Sequence, residues 1–216
     1  LGSLSAGAST FTTATSSTIN LGGTGTGNQF YNLTINKSST ATTTLITNDA
    51  DVTNNLVISA GILDLGGKNI VTTTSFSNYG TLRLQGAETV SFSTNDTDSG
   101  TWEYYGDGTG AATTQTIKDF GNTDYYALKI YDTSASNQDI FRTSATLNAS
   151  STLTVASSTL DISANSNLLI LDGILTISGG TLTATNGTID ANSDIIISSG
   201  TLTAPAGNFN VAGGWA

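Results

Sequence analysis

Carboxylates, aromatic rings and hydroxyls are the only groups in this chain that could carry chemistry. Cys, His and Met are absent. That removes disulfides, thiol nucleophiles, imidazole acid–base catalysis and thiolate or imidazole metal ligands together. Catalysis would fall to pairs of Asp or Glu, the arrangement that glycoside-cleaving sites use. Asp64, Asp161 and Asp190 each sit next to strand-forming apolar residues. All three are expected at strand centres and pointing outward, and the first two, almost a hundred positions apart, are not expected to converge. Asn95-Asp96-Thr97-Asp98-Ser99-Gly100 places alternating oxygens in a turn, a pattern suited to Ca²⁺ near Asp96 and Asp98. Its glycine falls one place early for an EF-hand counted from Asp96, and a distal Glu is missing. A plain corner loop is therefore the favoured reading. Gly22-Gly23-Thr24-Gly25-Thr26-Gly27 has neither the Lys nor the following helix of a phosphate loop.

Aromatic residues concentrate in one stretch: Trp102, Tyr104, Tyr105, Tyr125, Tyr126 and Tyr131, with Gly106-Asp107-Gly108 among them. Exposed rings beside Asp and Asn would suit carbohydrate contact, carried by Trp102, Tyr104, Tyr105, Tyr125 and Tyr126. The alternative is that alternate aromatics fill a wider part of the core. Thr-rich stretches such as Thr72-Thr73-Thr74 and Thr181-Leu182-Thr183 suit ice-binding ladders in principle. Thr is also an ordinary outward residue of a strand, and Asp64, Arg83 and Glu103 interrupt any clean face. Asn-X-Ser/Thr triplets begin at Asn32, Asn36, Asn95, Asn148 and Asn186, as chance produces in a chain so rich in these residues.

The elements that hold these groups follow from a short repeat. Apolar–any–apolar triplets dominate, among them Leu33-Thr34-Ile35, Leu63-Asp64-Leu65, Leu82-Arg83-Leu84, Leu153-Thr154-Val155 and Leu175-Thr176-Ile177. Period two means half-buried strands. From Leu175 the triplets begin at 175, 182, 189, 195, 202 and 209, so every third start recurs after 20 residues. Leu63, Leu82 and Trp102 step by 19 and 20. Three short strands per 20 residues predict an all-β, right-handed parallel β-solenoid: a three-sided β-helix of about ten coils. Each coil pairs with its neighbours, and the stack buries one core. Gly61, Gly80, Gly100, Gly180 and Gly200 mark one corner, where positive φ is expected. A β-sandwich also alternates, but does not require equal spacing.

A longer similarity divides residues 1–216, read as one solenoid, into repeats of about 30–124 and 125–216. Phe30-Tyr31-Asn32-Leu33-Thr34-Ile35 matches Tyr125-Tyr126-Ala127-Leu128-Lys129-Ile130. Leu45-Ile46 matches Ile140-Phe141 at the same offset, and Ile62-Leu63-Asp64-Leu65 matches Thr159-Leu160-Asp161-Ile162 two residues later. In residues 30–35, 62–65, 100–104, 115–117 and 205–215 the chain resembles β-strand-repeat surface proteins of bacteria and archaea. That resemblance implies a secreted or cell-surface protein, adhesin-like or filament-like, with no catalysis. The competing expectation is a polysaccharide-active β-helix enzyme or a carbohydrate-binding module.

Charge narrows the partners. Fourteen Asp and two Glu against six basic residues give a net charge of −10. Nucleic acid, which needs clustered Lys or Arg, is disfavoured. No apolar run is long enough to cross a bilayer, so membrane insertion is not expected. Partners expected are copies of the chain stacked end to end, adjacent repeats of a longer chain, or surface glycans. No signal-peptide pattern is present, and the start at Leu1 suggests a mature product or a fragment. Neither terminus has an amphipathic helix that would cap a strand edge.

Overall fold

A computed structural model describes residues 7–21, 29–72, 74–121, 123–134, 136 and 138–216, without the side chain of 165. The glycine-rich run from Gly22 to Gly27, together with Leu1, Leu4 and Thr73, lies outside the described residues. The fold is all-β with one short 3-10 turn, Ala164–Ser166. Parallel strands stack about 20 residues apart in a β-solenoid of about ten turns.

Contacts divide the chain into two compact units, residues 1–101 and 102–216. In the first unit three ladders form. One holds β1 (Ala8–Phe11), β3 (Asn32–Asn36), β6 (Asn55–Ala60) and β9 (Ser75–Asn78). The second includes β2 (Ser17–Ile19), β4 (Thr42–Leu45), β7 (Ile62–Asp64) and β10 (Thr81–Leu84), and the third β5 (Ala50–Val52), β8 (Ile70–Thr72) and β11 (Val90–Phe92). Like stacks on like along each ladder: Leu33 on Leu56 on Phe76, Leu63 on Leu82, and Ala50 on Ile70 on Val90.

In the second unit, β12 (Thr101–Tyr104), β14 (Ala127–Ile130) and β17 (Leu153–Val155) lead to β20 (Leu175–Thr183) and β22 (Ile195–Thr203). A second ladder, β13 (Thr114–Ile117), β15 (Ile140–Thr143) and β18 (Thr159–Asp161), joins the far halves of β20 and β22. The third holds β16 (Leu147–Ala149), β19 (Leu168–Leu171), β21 (Thr188–Ala191) and β23 (Phe209–Val211). Here too the inward rows are aliphatic columns, such as Leu128, Leu153, Leu175 and Ile195. Each buried Leu or Ile side chain contributes about 1.5–3 kcal/mol, and the stack pools what no coil could bury alone.

Coil length varies more than a fixed 20. Leu56 to Phe76 is 20 residues, but Leu33 to Leu56 is 23 and Leu128 to Leu153 is 25. Most of the surplus falls at corners, and the pairing of β3 with β6 also shifts register between Ile35 and Asn36. The glycine corner also has two physical causes rather than one. Gly61, Gly100 and Gly200 do have positive φ (81°, 68° and 93°). Gly80 and Gly180 do not. A Cβ on Gly80 would lie 2.4 Å from the Gly61 carbonyl oxygen, and one on Gly180 2.5 Å from that of Ser158. Close approach of successive coils selects glycine at these two.

Residues matched by the longer sequence similarity have these places in the fold. Phe30 and Tyr125 each make an isolated parallel bridge, to Val52 and Ala149. Aligning Leu45-Ile46 with Ile140-Phe141 at a constant offset pairs exposed Ile46 with buried Phe141. A slip of one residue reverses every side chain on a strand. By facing, Thr42–Leu45 corresponds to Ile140–Thr143, three residues further on.

Candidate functional site

The aromatic segment divides sharply. Trp102 is 1 % exposed, and Tyr104 and Tyr125 are fully buried. They occupy the core of the second unit, so they offer no ring face to a sugar. This corrects three of the five expected carbohydrate contacts. Period two accounts for it: Trp102 and Tyr104 are alternate residues of β12 and share its inward face, as Leu82 and Leu84 do on β10. Trp102 and Tyr125 meet edge-on with centroids 5.4 Å apart, and Tyr104 meets Phe141 in the same way at 5.8 Å. The two buried hydroxyls lie 3.0 Å apart. The Lys118 N–H donates to the Tyr104 hydroxyl, and the Tyr125 hydroxyl donates to the Lys118 carbonyl at 2.6 Å. Burial, then the neighbouring Tyr104, pushes the Tyr125 phenol well above 10, which keeps it a donor. Tyr105 is half-buried and Tyr126 is exposed at a corner. Tyr131 is occupied locally: Lys129 Nζ lies 4.6 Å from its ring centroid and forms a 3.0 Å ion pair with Glu103.

The carboxylates serve the backbone. Asp64 and Asp161 end β7 and β18 rather than occupying strand centres, and both are more buried than an outward position predicts. Each turns its carboxylate back on its own corner. Asp64 Oδ1 accepts from the Gly66 N–H, and Asp161 Oδ1 from the Ser163 N–H. Asp161 also pairs with Arg142 at 2.9 Å, one coil away on the same ladder. Asp190 is half-buried in mid-strand. Asp139 accepts from the N–H groups of Thr113 and Asp107, while its own N–H donates to Asp132. Asp132 and Asp139 thereby anchor the long corner after β12. Glu88 accepts three backbone N–H groups, from Gly67, Gln85 and Gly86. Such groups leave few lone pairs for a substrate or a metal. Among the described residues, no three His, Cys, Asp or Glu side chains gather as a metal site would need.

Asp96, in the turn weighed above as a calcium loop or a plain corner, belongs to the same class. Its carboxylate accepts from the N–H groups of Asn78, Asp98 and Ser99 and from the Ser99 hydroxyl. Beside it lies a shallow cup of about 250 Å³, lined by Phe76, Ser77, Tyr79, Asn95, Asp96, Thr97 and Asp98. Tyr79, 66 % exposed, stands at this cup. It is a lone tyrosine in sequence, and only the fold brings it beside the 95–98 turn. On the Thr-bearing ladder of the first unit, Thr44 is followed in register by Asp64 and Arg83, which ends any run of outward Thr there.

Two carboxylates give opposite pH signatures. Burial raises the Asp124 pKa above 3.8, outweighing N–H donation from Asn148 and Phe120. Its contribution is therefore fully present below the ordinary carboxylate value and is lost as pH rises through the raised one. For Asp161 burial also pushes upward, but the Ser163 hydroxyl and N–H and then Arg142 overcome it, and the pKa falls. That contribution is present above the ordinary value and lost as pH falls through the lowered one. Denaturant melts of Asp124→Asn and Asp161→Asn across the acid range are expected to diverge from the parent in opposite senses. Parallel curves would contradict these assignments.

Among the described residues, no helix is long and apolar enough to cross a membrane. Comparison of the chain with protein-family models, with curated proteins and with solved structures gives no match to any of them.

Proposed function

We propose that the chain is a structural or adhesive repeat module of an extracellular or cell-surface fibre, in the style of the β-strand-repeat surface proteins it resembles. The observation that carries this reading is the repeated parallel stacking itself, in which each coil buries its apolar rows against the next, and β22, β23 and Trp215 show what one such row offers a neighbour. Ile177, Leu182 and Ile189 are fully buried. Their partners one coil later, Ile197, Leu202 and Phe209, are only partly buried. Trp215 bridges to Ile195, packs edge-on against Phe209 at 5.2 Å, and stays 54 % exposed. A further coil laid on these rows would bury them and satisfy the strand edges beside them. That coil could belong to an adjacent repeat or to a second copy. Stacking of copies is heterologous and does not close, so it makes a filament. Use of the buried carboxylates to hold backbone supports a role without turnover.

Negative-stain microscopy of the concentrated chain tests this. End-to-end filaments are expected, and Leu202→Lys with Phe209→Lys is expected to abolish them while the parent fold persists by circular dichroism. Monomers that already protect the β22 and β23 amides from hydrogen exchange would argue against it. So would polysaccharide turnover that disappears with a single Asp or Glu substitution.

A further inference from the structure

Charge is unevenly placed along this chain. All sixteen carboxylates and all six basic residues lie from Lys37 to Asp194, so residues 1–36 and 195–216 carry no charged side chain. Those two stretches hold the outermost strands of the ladders. Among the described residues, β1 pairs only with β3, β2 only with β4 and β23 only with β21. Open strand edges are ordinarily guarded by charge, above all by Lys. Here charge is withheld from both ends, although the chain as a whole carries −10.

The order of strands in a coil says which edge suits which. In the first unit β1 leads to β2 and β3 to β4; in the second β21 leads to β22, and β23 to the Trp215 bridge. β1 and β23 therefore hold the same place in their coils. Each strand has two inward positions. On β1 they are Ser9 and Phe11, in register with buried Leu33 and Ile35. On β23 they are Phe209 and Val211, in register with buried Ile189 and Ala191. Matching first with first sets Ser9 over Phe209 and Phe11 over Val211, a smaller side chain against a larger one each time. One corner further on, Ser17, the first inward residue of β2, would cover the exposed Trp215. Alternation of small and large across the joint is what close packing requires.

We propose that the β22–β23 end of one copy receives the β1–β2 end of a second copy, parallel and in register, with Thr10 of one beside Asn210 of the other. The proposal rests on the stacking reading given above and names its partner face and register. Charge confined to the middle of the chain opposes contact there and leaves the two ends free of local repulsion, so association is directed to the ends.

Introduced thiols test the joint without background, because the chain has no Cys. Thr10 and Asn210 are exposed, outward residues of β1 and β23. Paired strands lie about 4.8 Å apart, within the roughly 4.4–6.8 Å that disulfide Cα atoms span. Thr10→Cys and Asn210→Cys are made as separate full-length proteins, mixed at high concentration and oxidised. The expected main product is a mixed dimer joined from position 10 to position 210, identified by peptide mass spectrometry. Ala8→Cys, also outward on β1 but two residues out of register, is expected to link to Asn210→Cys far less. All three positions are exposed, so the variants are expected to fold, and circular dichroism checks this. Disulfides only between like positions, or preferential linkage through position 8, would overturn the pairing. End-to-end filaments by microscopy without the 10–210 link would overturn the pairing and leave the stacking reading in place. Absence of both link and filaments would overturn both.

Discussion

Trp102→Ala is expected to destabilise the second unit by about 3–5 kcal/mol, the range for removing a large buried aromatic. Trp102 meets a tilted Phe120 ring and the edge-on Tyr125 ring, with centroids 5.2 and 5.4 Å away. Its loss would leave a void that a parallel ladder cannot easily close, because β12 is held by hydrogen bonds between its neighbours β10 and β14. Tyr126→Ala, from the same segment, is expected to change stability by less than about 0.5 kcal/mol. Denaturant titration of the two variants measures the contrast. Equal, small effects would mean that Trp102 is not a core residue.

Gly173→Ala should have an effect of similar size from a single methyl group. A Cβ at 173 would sit 1.6 Å from the carbonyl oxygen of Ser151, one coil earlier. No rotamer relieves a clash with backbone. Either the corner between β19 and β20 moves or the coils separate, at a cost of about 3 kcal/mol, the top of the usual range for overpacking. Gly7→Ala provides the control, since nothing lies within 4 Å of its Cβ position and its φ is unexceptional. A Gly173→Ala chain that melts like the parent would show that the corner is looser than this packing requires.

Strands and their facing were legible because two physical periods coincide in this sequence. Alternation along a strand marks what is buried, and recurrence near 20 marks what stacks on what. Leu175, Leu182 and Ile189 are therefore placed correctly by counting alone. Corners were less legible. The second period says only that a turn occurs, whereas the residue chosen depends on the carbonyl one coil below. Gly80 shows this, as does Asp161, which ends its strand by bonding to Ser163. For the Trp102 segment, composition left surface contact and core filling both open, and the parity of Trp102 and Tyr104 on β12 matches the core. The depression at Tyr79 was not legible because only the fold brings residues 95–98 beside residues 76–79.

Unequal coil length bears on how such a chain could diversify. Between Trp102 and Leu128 the chain takes 26 residues to return to the same ladder, against 20 between Leu175 and Ile195. The excess leaves the frame at a corner and is tied back by a side chain, in this case Asp139, which accepts from the N–H groups of Asp107 and Thr113. Insertions at corners thus carry little information about the fold, while a single residue added within a strand would invert it. Evolution can rewrite the excursions, or lengthen them, without renegotiating the frame. The same division tells an engineer where a foreign loop would be accepted: after Tyr104, and not between Leu128 and Ile130.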